Sequence, residues 1–559
     1  MKFKNSTKSN KNLDSLLDKA VKYSKAKNIE ESNKYLEQIL KKDPKHVIAL
    51  YLLAINYFST HMSSLAVNTA IKALQVNPKL EFMRTIIAEH YASQENKYTI
   101  AIQLLKEEIH NYPNSTGAYR SLGASYANIG EIEESIEATK RQISITPQDT
   151  ASYSNLLNFL HYKPGVTNEE ILEAAKDLYN NCFSKLINNK LIYDHNRKRN
   201  DKLRLGFVSG DLKKHAVYYW VVDFLEALNK EVDIYCFCNN REDTCSEDLK
   251  SKVSHWHNIM KMSDEDTCNL IYENKIDILF DLSGHTDKNR LTVFLQKPAP
   301  VQVSWLGQSG PFGLPQIDYM LANKYLVKEG EEDHHTEKVY RLPNIYAPYG
   351  KLRANIEVSE APCIKNGYVT FGSFNSFVKV NKTVISTWCE ILKAVPNSKL
   401  MLKSHLFADP EMLKHYQEIF NQYGISSDRL TLEAFDRDRE GYLQRYNEMD
   451  IALDSFPVGG GTTTNDLLLM STPLIAIYGQ RLSHRMSANI LNIIGCPELI
   501  AKDREEYIKK AIELAFDKDR IQEYKKSIKE KFLNSLLTNN SQFTKEFLDF
   551  CKDITSHLS

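Results

Sequence analysis

The sequence predicts an α-solenoid of helical repeats followed by an α/β region of two Rossmann-like halves. Three observations carry this reading. Asp43-Pro44, Asn77-Pro78, Tyr112-Pro113 and Thr146-Pro147 recur with the prolines 34, 35 and 34 residues apart, the period of a two-helix repeat. From Leu203 onward, apolar runs of strand length alternate with helical segments, the pattern of parallel sheets covered on both faces. Residues 450–466, DIALDSFPVGGGTTTND, place a strand, a glycine turn and a helix start in succession, an order that builds an anion site.

A chain of 559 residues is too long for a single core and divides into about three domains. Lys and Arg balance Asp and Glu at 71 each. That balance argues against nucleic acid as the main partner, which shows as a basic excess or stripe. The first residues, MKFKNSTKSNKN, lack the apolar core of a signal peptide, and no apolar stretch approaches the length that spans a bilayer. The nine cysteines are scattered; Cys236, Cys238 and Cys245 form the only close group, without a histidine pair at zinc-finger spacing. They read as buried, reduced thiols of a soluble, cytoplasmic protein without membrane contact.

Residues 1–190 form the repeat domain. Between successive prolines the apolar pattern fits two amphipathic helices. The clearest unit runs Ala118-Tyr119, Leu122-Gly123, Tyr126, Gly130, Ser135-Ile136, Ala138 and Pro147. With small residues where paired helices cross and a proline ending the second helix, it resembles a tetratricopeptide repeat. Units near 12–44, 46–78 and 81–113 keep the same period. Such stacks either expose a concave surface to an extended partner or brace the neighbouring domain, and the pattern allows both. Residues 151–181 continue helically, broken at Lys163-Pro164-Gly165, and the polar stretch 188–202 marks the boundary.

The α/β region divides into residues 200–365 and 366–559. Strand-like runs in the first half are LRLGFVS, VDIYCFC, IDILFDLSG and VQVSWLG. In the second they are YVTFGSFN, KLMLKS, LTLEAF, DIALDS and LIAIYG. The part between them, about 327–365, is mixed and contains proline. Two doubly wound halves facing each other place a ligand between the carboxyl ends of their strands.

Polar groups stand immediately after four of these runs. One contains Ser209, Gly210, Asp211 and His215, and a second Asp281, Ser283, Gly284, His285 and Thr286. A third contains Asn375, Ser376 and Lys379, and the fourth is the Gly459-Gly460-Gly461-Thr462-Thr463 turn. Glycine admits an oxyanion close to backbone N–H groups, threonine caps a helix and adds hydroxyl donors, and the helix start is partially positive. Asp466, in the first helical turn, is placed to accept from ribose hydroxyls. Lys379 is a compact point charge for a diphosphate leaving group. His215, with an ordinary pKa near neutrality, is a candidate general base, and His285 is the second candidate catalytic histidine. Asn375 and Ser376 stand beside Lys379 as candidate donor contacts. Asp436 and Asp438 match an acidic pair that holds a metal diphosphate, but the run DRDRE reads as a solvated turn. No metal site is expected.

Residues 200–515 resemble the catalytic part of the O-linked N-acetylglucosamine transferase and SPINDLY family. The resemblance rests on LRLGFVSGDLKKHAV, DLSGHTDKNRL, KPAPVQVSWLGQSGPFGLPQIDY, GSFNSFVKVNK, DIALDSFPVGGGTTTNDLL, SHRMSANIL and ELIAKDREEY, in that order behind the repeats. It implies an inverting glycosyltransferase of the GT-B fold, with a nucleotide-sugar co-substrate and no cofactor. Carried over by position, His215 is similar to the histidine near the acceptor, and His285 falls in a second histidine motif of SPINDLY and bacterial type. Lys379 is similar to the diphosphate-contacting lysine, Thr462 and Thr463 to the threonines at the phosphate-binding helix start, and Asp466 to the ribose-binding carboxylate. Three positions depart from the pattern. Gly461 stands where the animal enzymes have histidine, Gln308 replaces a tyrosine after WLG, and Tyr442 replaces a histidine.

The resulting expectation is transfer of N-acetylglucosamine from UDP-GlcNAc to Ser or Thr of a polypeptide presented by the repeat groove. Because SPINDLY itself uses GDP-fucose, protein O-fucosylation is the alternative. A non-catalytic repeat scaffold and a nucleotide-sugar epimerase are two further readings.

Overall fold

In the computed structural model, residues 11–196, 200–307, 310–350, 356–435 and 438–558 are described. Gln308 and Asp436 lie outside them. The repeat region consists of five helix pairs: Lys11–Lys25 with Ile29–Lys42, Val47–Ser59 with Ser63–Val76, Met83–Gln94 with Tyr98–Asn111, Thr116–Asn128 with Ile132–Ile145, and Thr150–Tyr162 with Asn168–Leu178. The recurring prolines fall two residues beyond the second helix of each of the first four pairs. The residue before proline is pushed out of the α region, and accordingly Asp43, Asn77, Tyr112 and Thr146 each end a helix with ψ between 76° and 100°. Gly123 marks a tight helix crossing, since a Cβ there would lie 3.0 Å from Thr139 Oγ1.

Two parallel sheets follow. The first contains β1 (Arg204–Ser209), β2 (Asp233–Cys238), β3 (His255–Asn258), β4 (Ile278–Asp281), β5 (Val301–Ser304), β6 (Tyr319–Asn323) and β7 (Lys338–Leu342), in the order β3-β2-β1-β4-β5-β6-β7. The second contains β8 (Thr370–Ser373), β9 (Lys399–Lys403), β10 (Leu430–Glu433), β11 (Ile451–Leu453), β12 (Leu474–Ile477) and β13 (Ile500–Ala501), in the order β10-β9-β8-β11-β12-β13. All nine expected strands are present. The four additional ones lacked an apolar run of sufficient length: β3 is the polar edge HWHN, β13 has two residues, and β6 and β7 lie near or within the proline-containing connection.

Strand order reverses between β1 and β4 in the first sheet and between β8 and β11 in the second. The four polar constellations follow these four strands. The final helix, Asn540–Ile554, leaves the second half and packs on the first: Phe547 lies 5.0 Å from Phe224, 5.2 Å from Phe280 and 5.3 Å from Trp305 between ring centroids. All nine cysteines are unpaired, and all but Cys245 are buried.

Candidate active site

A crevice at the switch points of a doubly wound sheet collects the loops that leave neighbouring strands in opposite directions. Here the loops after β1 and β4 are stitched together, with Ser283 Oγ accepting from Gly210 N at 3.1 Å and lying 3.2 Å from Ser209 Oγ. Gly307, at φ +59°, passes so near that a Cβ would lie 2.6 Å from the carbonyl carbon of Ser283. That close approach brings the WLG turn to the crevice wall.

In the second half, Asp454 holds the glycine loop. Its buried Oδ1 accepts from Asn375 Nδ2 at 2.9 Å, Gly460 N at 2.9 Å and Ser455 N at 3.1 Å. Asn375 Oδ1 is buried without a protein partner, leaving an acceptor available to a ligand. Lys379 Nζ donates to Gly459 O at 2.7 Å. Burial pulls the Lys379 ammonium below the usual lysine value, while Asp454 pushes it back up, so an anion placed beside it strengthens its charge.

The helix Thr462–Leu469 begins at Gly461, and no side chain caps it. The threonines therefore do not cap this helix. Thr462 Oγ1 instead accepts from Trp220 Nε1 at 3.0 Å, joining the two halves across the crevice, and Thr464 Oγ1 lies 2.9 Å from Ser487 Oγ.

His215 caps the helix Ala216–Leu228, its Nδ1 accepting from Val217 N at 3.4 Å and lying 3.7 Å from Asp211 Oδ1. Burial lowers the imidazole pKa and Asp211 raises it. Rotation of the ring toward Asp211 would let Nδ1–H donate a hydrogen bond to the carboxylate and leave Nε2 as a base, the arrangement used when a carboxylate orients a catalytic histidine.

Two adjoining chambers open here. One, of about 290 Å³, is lined by Asp211, His215, Trp220, Lys379, Thr462 and Thr463 among others. The second, of about 200 Å³, shares Thr286, Gly307, Lys379, Gly461 and Met486 with it and adds Gly459. A larger surface groove of about 560 Å³ lies at the amino ends of β8 and β9, beside Thr370 and Lys399. It is remote from the switch-point crevice, so volume alone does not mark the site.

Three expected site residues are placed otherwise. His285 is buried; its Nε2 donates to Phe312 O at 3.3 Å, its Nδ1 accepts from Ser154 Oγ at 3.0 Å, and its own carbonyl accepts from Asn158 Nδ2 at 2.8 Å. Burial lowers its pKa to about 4. It fastens the last repeat pair to the first half, with both ring nitrogens hydrogen-bonded within the protein. Asp466 is buried in a two-pronged ion pair with Arg439, whose Nη1 donates at 2.8 Å, and accepts from Tyr349 OH at 2.9 Å. Its carboxylate is thus engaged rather than presented to a ribose. Ser376 is exposed, and its carbonyl accepts from Lys379 N at 2.9 Å.

Sequence reasoning did not single out Asp454, Trp220, Arg439 or the repeat residues Asn158, His161 and Tyr162. Asp454 was findable as the first polar residue after β11. Trp220 and Arg439 carry no local signal, because their partners are far away in the chain. Among the described residues, no group of three His, Cys, Asp or Glu side chains comes together as a metal site, and no helix is long and apolar enough to cross a membrane.

Two doubly wound halves around a switch-point crevice, preceded by helical repeats, define a GT-B architecture with an α-solenoid in front. The chain belongs to glycosyl transferase family 41, which it matches over residues 170–349 and 358–547. It is 30% identical over 409 residues to the probable UDP-N-acetylglucosamine--peptide N-acetylglucosaminyltransferase SPINDLY of Solanum lycopersicum, covering 72% of this chain and 44% of that protein. It is 26% identical over 356 residues to the Arabidopsis thaliana protein SEC, of the same probable activity, covering 62% of this chain and 36% of that one. The chain thus spans less than half the length of these plant relatives. A solved structure of a Thermobaculum terrenum O-GlcNAc transferase mutant shares the fold, with a TM-score of 0.76 at 24% identity over 98% of this chain and all of that one.

Proposed function

We propose that the protein is an inverting glycosyltransferase that moves N-acetylglucosamine from UDP-GlcNAc to Ser or Thr of polypeptides. The observation that carries this reading is the meeting of Lys379, the uncapped Gly461–Thr463 helix start and His215 around one crevice. The UDP-GlcNAc assignment rests on the names of the plant relatives. Lys379 and the helix start stabilise the departing diphosphate. The acceptor hydroxyl oxygen bonds to the anomeric carbon from the opposite face as the bond to the β-phosphate oxygen breaks. The electron pair leaves with the diphosphate, and the hydroxyl proton passes to His215 or to a water it orients. The repeat array delivers the acceptor chain along its concave face, in the cytoplasm.

Thermal melting with UDP, GDP, UDP-GlcNAc and GDP-fucose tests the donor, because a ligand bound only by the native state raises its apparent stability. UDP and UDP-GlcNAc are expected to stabilise; selective stabilisation by GDP and GDP-fucose would assign fucose transfer instead. Stabilisation by none would favour the scaffold reading, and an epimerised sugar nucleotide formed without acceptor would favour the epimerase. Lys379→Ala is expected to lower turnover roughly 10²–10³-fold, the usual loss for one transition-state donor, with an unchanged circular-dichroism spectrum. Since Lys379 supplies the positive charge, turnover should survive EDTA; its loss would transfer part of that role to a metal.

A further inference from the structure

The 200 Å³ chamber has one wall that belongs to neither α/β half. Asn158, His161 and Tyr162 of the repeat helix Thr150–Tyr162 line it together with Lys379, Gly459 and Gly461. Their spacing of i, i+3 and i+4 puts them on one face of that helix, continuous with Ser154, which holds His285. The helix is fixed there from both sides. Asn158 Nδ2 donates to His285 O at 2.8 Å in the first half, while His161 Nδ1 lies 3.0 Å from Ser483 Oγ and His161 O accepts from His484 Nε2 at 3.1 Å in the second.

The chemistry of this wall is neutral. Burial, with the nearby Arg481 charge, holds His161 well below the ordinary histidine pKa, and burial raises that of the Tyr162 phenol. Among the described residues, Lys379 is the one Lys, Arg, Asp or Glu lining the chamber. Its volume lies below the roughly 300 Å³ at which pockets for drug-sized ligands begin. An amide, an imidazole and a phenol in such a space suit the hydroxyls of a single sugar ring, whereas a phosphate belongs at the shared Lys379 end.

We propose that the repeat helix Thr150–Tyr162 forms the specificity wall of the donor-sugar chamber, with Asn158, His161 and Tyr162 reading the sugar's hydroxyls. This inference rests on the glycosyltransferase reading above. It makes the last repeat pair part of the donor site rather than only a path for the acceptor.

Titration calorimetry on the full chain with UDP, UDP-GlcNAc and its C4 epimer UDP-GalNAc tests it in wild type, Tyr162→Phe and His161→Gln. The expected result is an affinity ratio between the epimers that falls by roughly three- to tenfold, the effect of one lost hydrogen bond, at unchanged UDP affinity. An unchanged ratio in both variants would overturn the inference and leave the transferase reading intact. An equal loss for UDP and both conjugates would also overturn it, because the effect would not lie at the sugar. Where wild type binds GDP instead, GDP, GDP-fucose and GDP-mannose replace the series. Binding of neither nucleotide would remove the transferase reading and this inference together.

Discussion

At the scale of single residues, the site is governed by which polar atoms the fold satisfies and which it leaves open. Asp454 uses one oxygen to align Asn375, Gly460 and Ser455, fixing the loop that Lys379 then touches through Gly459. His215 shows the opposite economy. Burial lowers its pKa and the Asp211 carboxylate partly offsets that lowering, so Asp211 holds its titration above where burial alone would leave it. A general base works when neutral, and turnover is lost as pH drops through its pKa. Asp211→Asn removes the raising influence, so the acid limb of the kcat/KM profile should move to lower pH. A shift to higher pH, or none, would remove Asp211 from that role. His285→Gln should leave the shape of the profile unchanged, because His285 has no free nitrogen to titrate in the reaction.

At the scale of elements, the glycine run is not uniform. A Cβ on Gly460 would lie 2.5 Å from Thr464 Oγ1, and one on Gly459 2.5 Å from Asp454 Oδ2; on Gly461 the nearest atom is 3.6 Å away, at Met486. None of the three has positive φ, so close packing, not backbone conformation, requires glycine at the first two. Gly460→Ala should cost about 1–3 kcal/mol as an overpacked site, read by urea unfolding. Gly461→Ala should melt within a few degrees of wild type, because its Cβ enters the chamber rather than the core. Equal destabilisation by the two substitutions would contradict this distinction. The run of three glycines and three threonines was legible in the sequence as a turn and a helix start; the different packing around each glycine was not, since it depends on Thr464, Asp454 and Met486 approaching from elsewhere in the fold.

At the scale of the whole molecule, the last repeat pair is a joint between both halves, and the joint is rich in buried neutral histidines. Burial pushes His285 and His335 down to about 4 and His484 down to about 3, with Arg481 further depressing His161 and His484. A histidine whose folded pKa lies below its unfolded value contributes stability that is complete above about 6.5 and is lost as pH falls toward the folded pKa. Each histidine that must charge on unfolding adds a slope of about 1.4 kcal/mol per pH unit in that window. Melting temperature should therefore fall steeply from pH 6.5 to pH 5, and His484→Gln should flatten the decline. A flat profile would show that the joint opens without protonation.

Period, strand runs and loop chemistry are local, and the sequence by itself determined them. Proline at a 34-residue spacing ends helices wherever it stands, and an apolar run of six residues between turns forms a strand in either half. The positions of Lys379 and His215 after strands were readable for the same reason. The tertiary structure alone decided which side chains face the void. His215 and His285 follow strands in the same way, yet Phe312 and Ser154, 27 and 131 residues from His285, consume the nitrogens of the second. Arg439, 27 residues from Asp466, occupies the carboxylate that looked free. The repeat helix reaches the crevice beside Lys379 and Gly459 only because two halves fold around it. A side chain's availability is set by what packs against it, and those neighbours are distant in the chain.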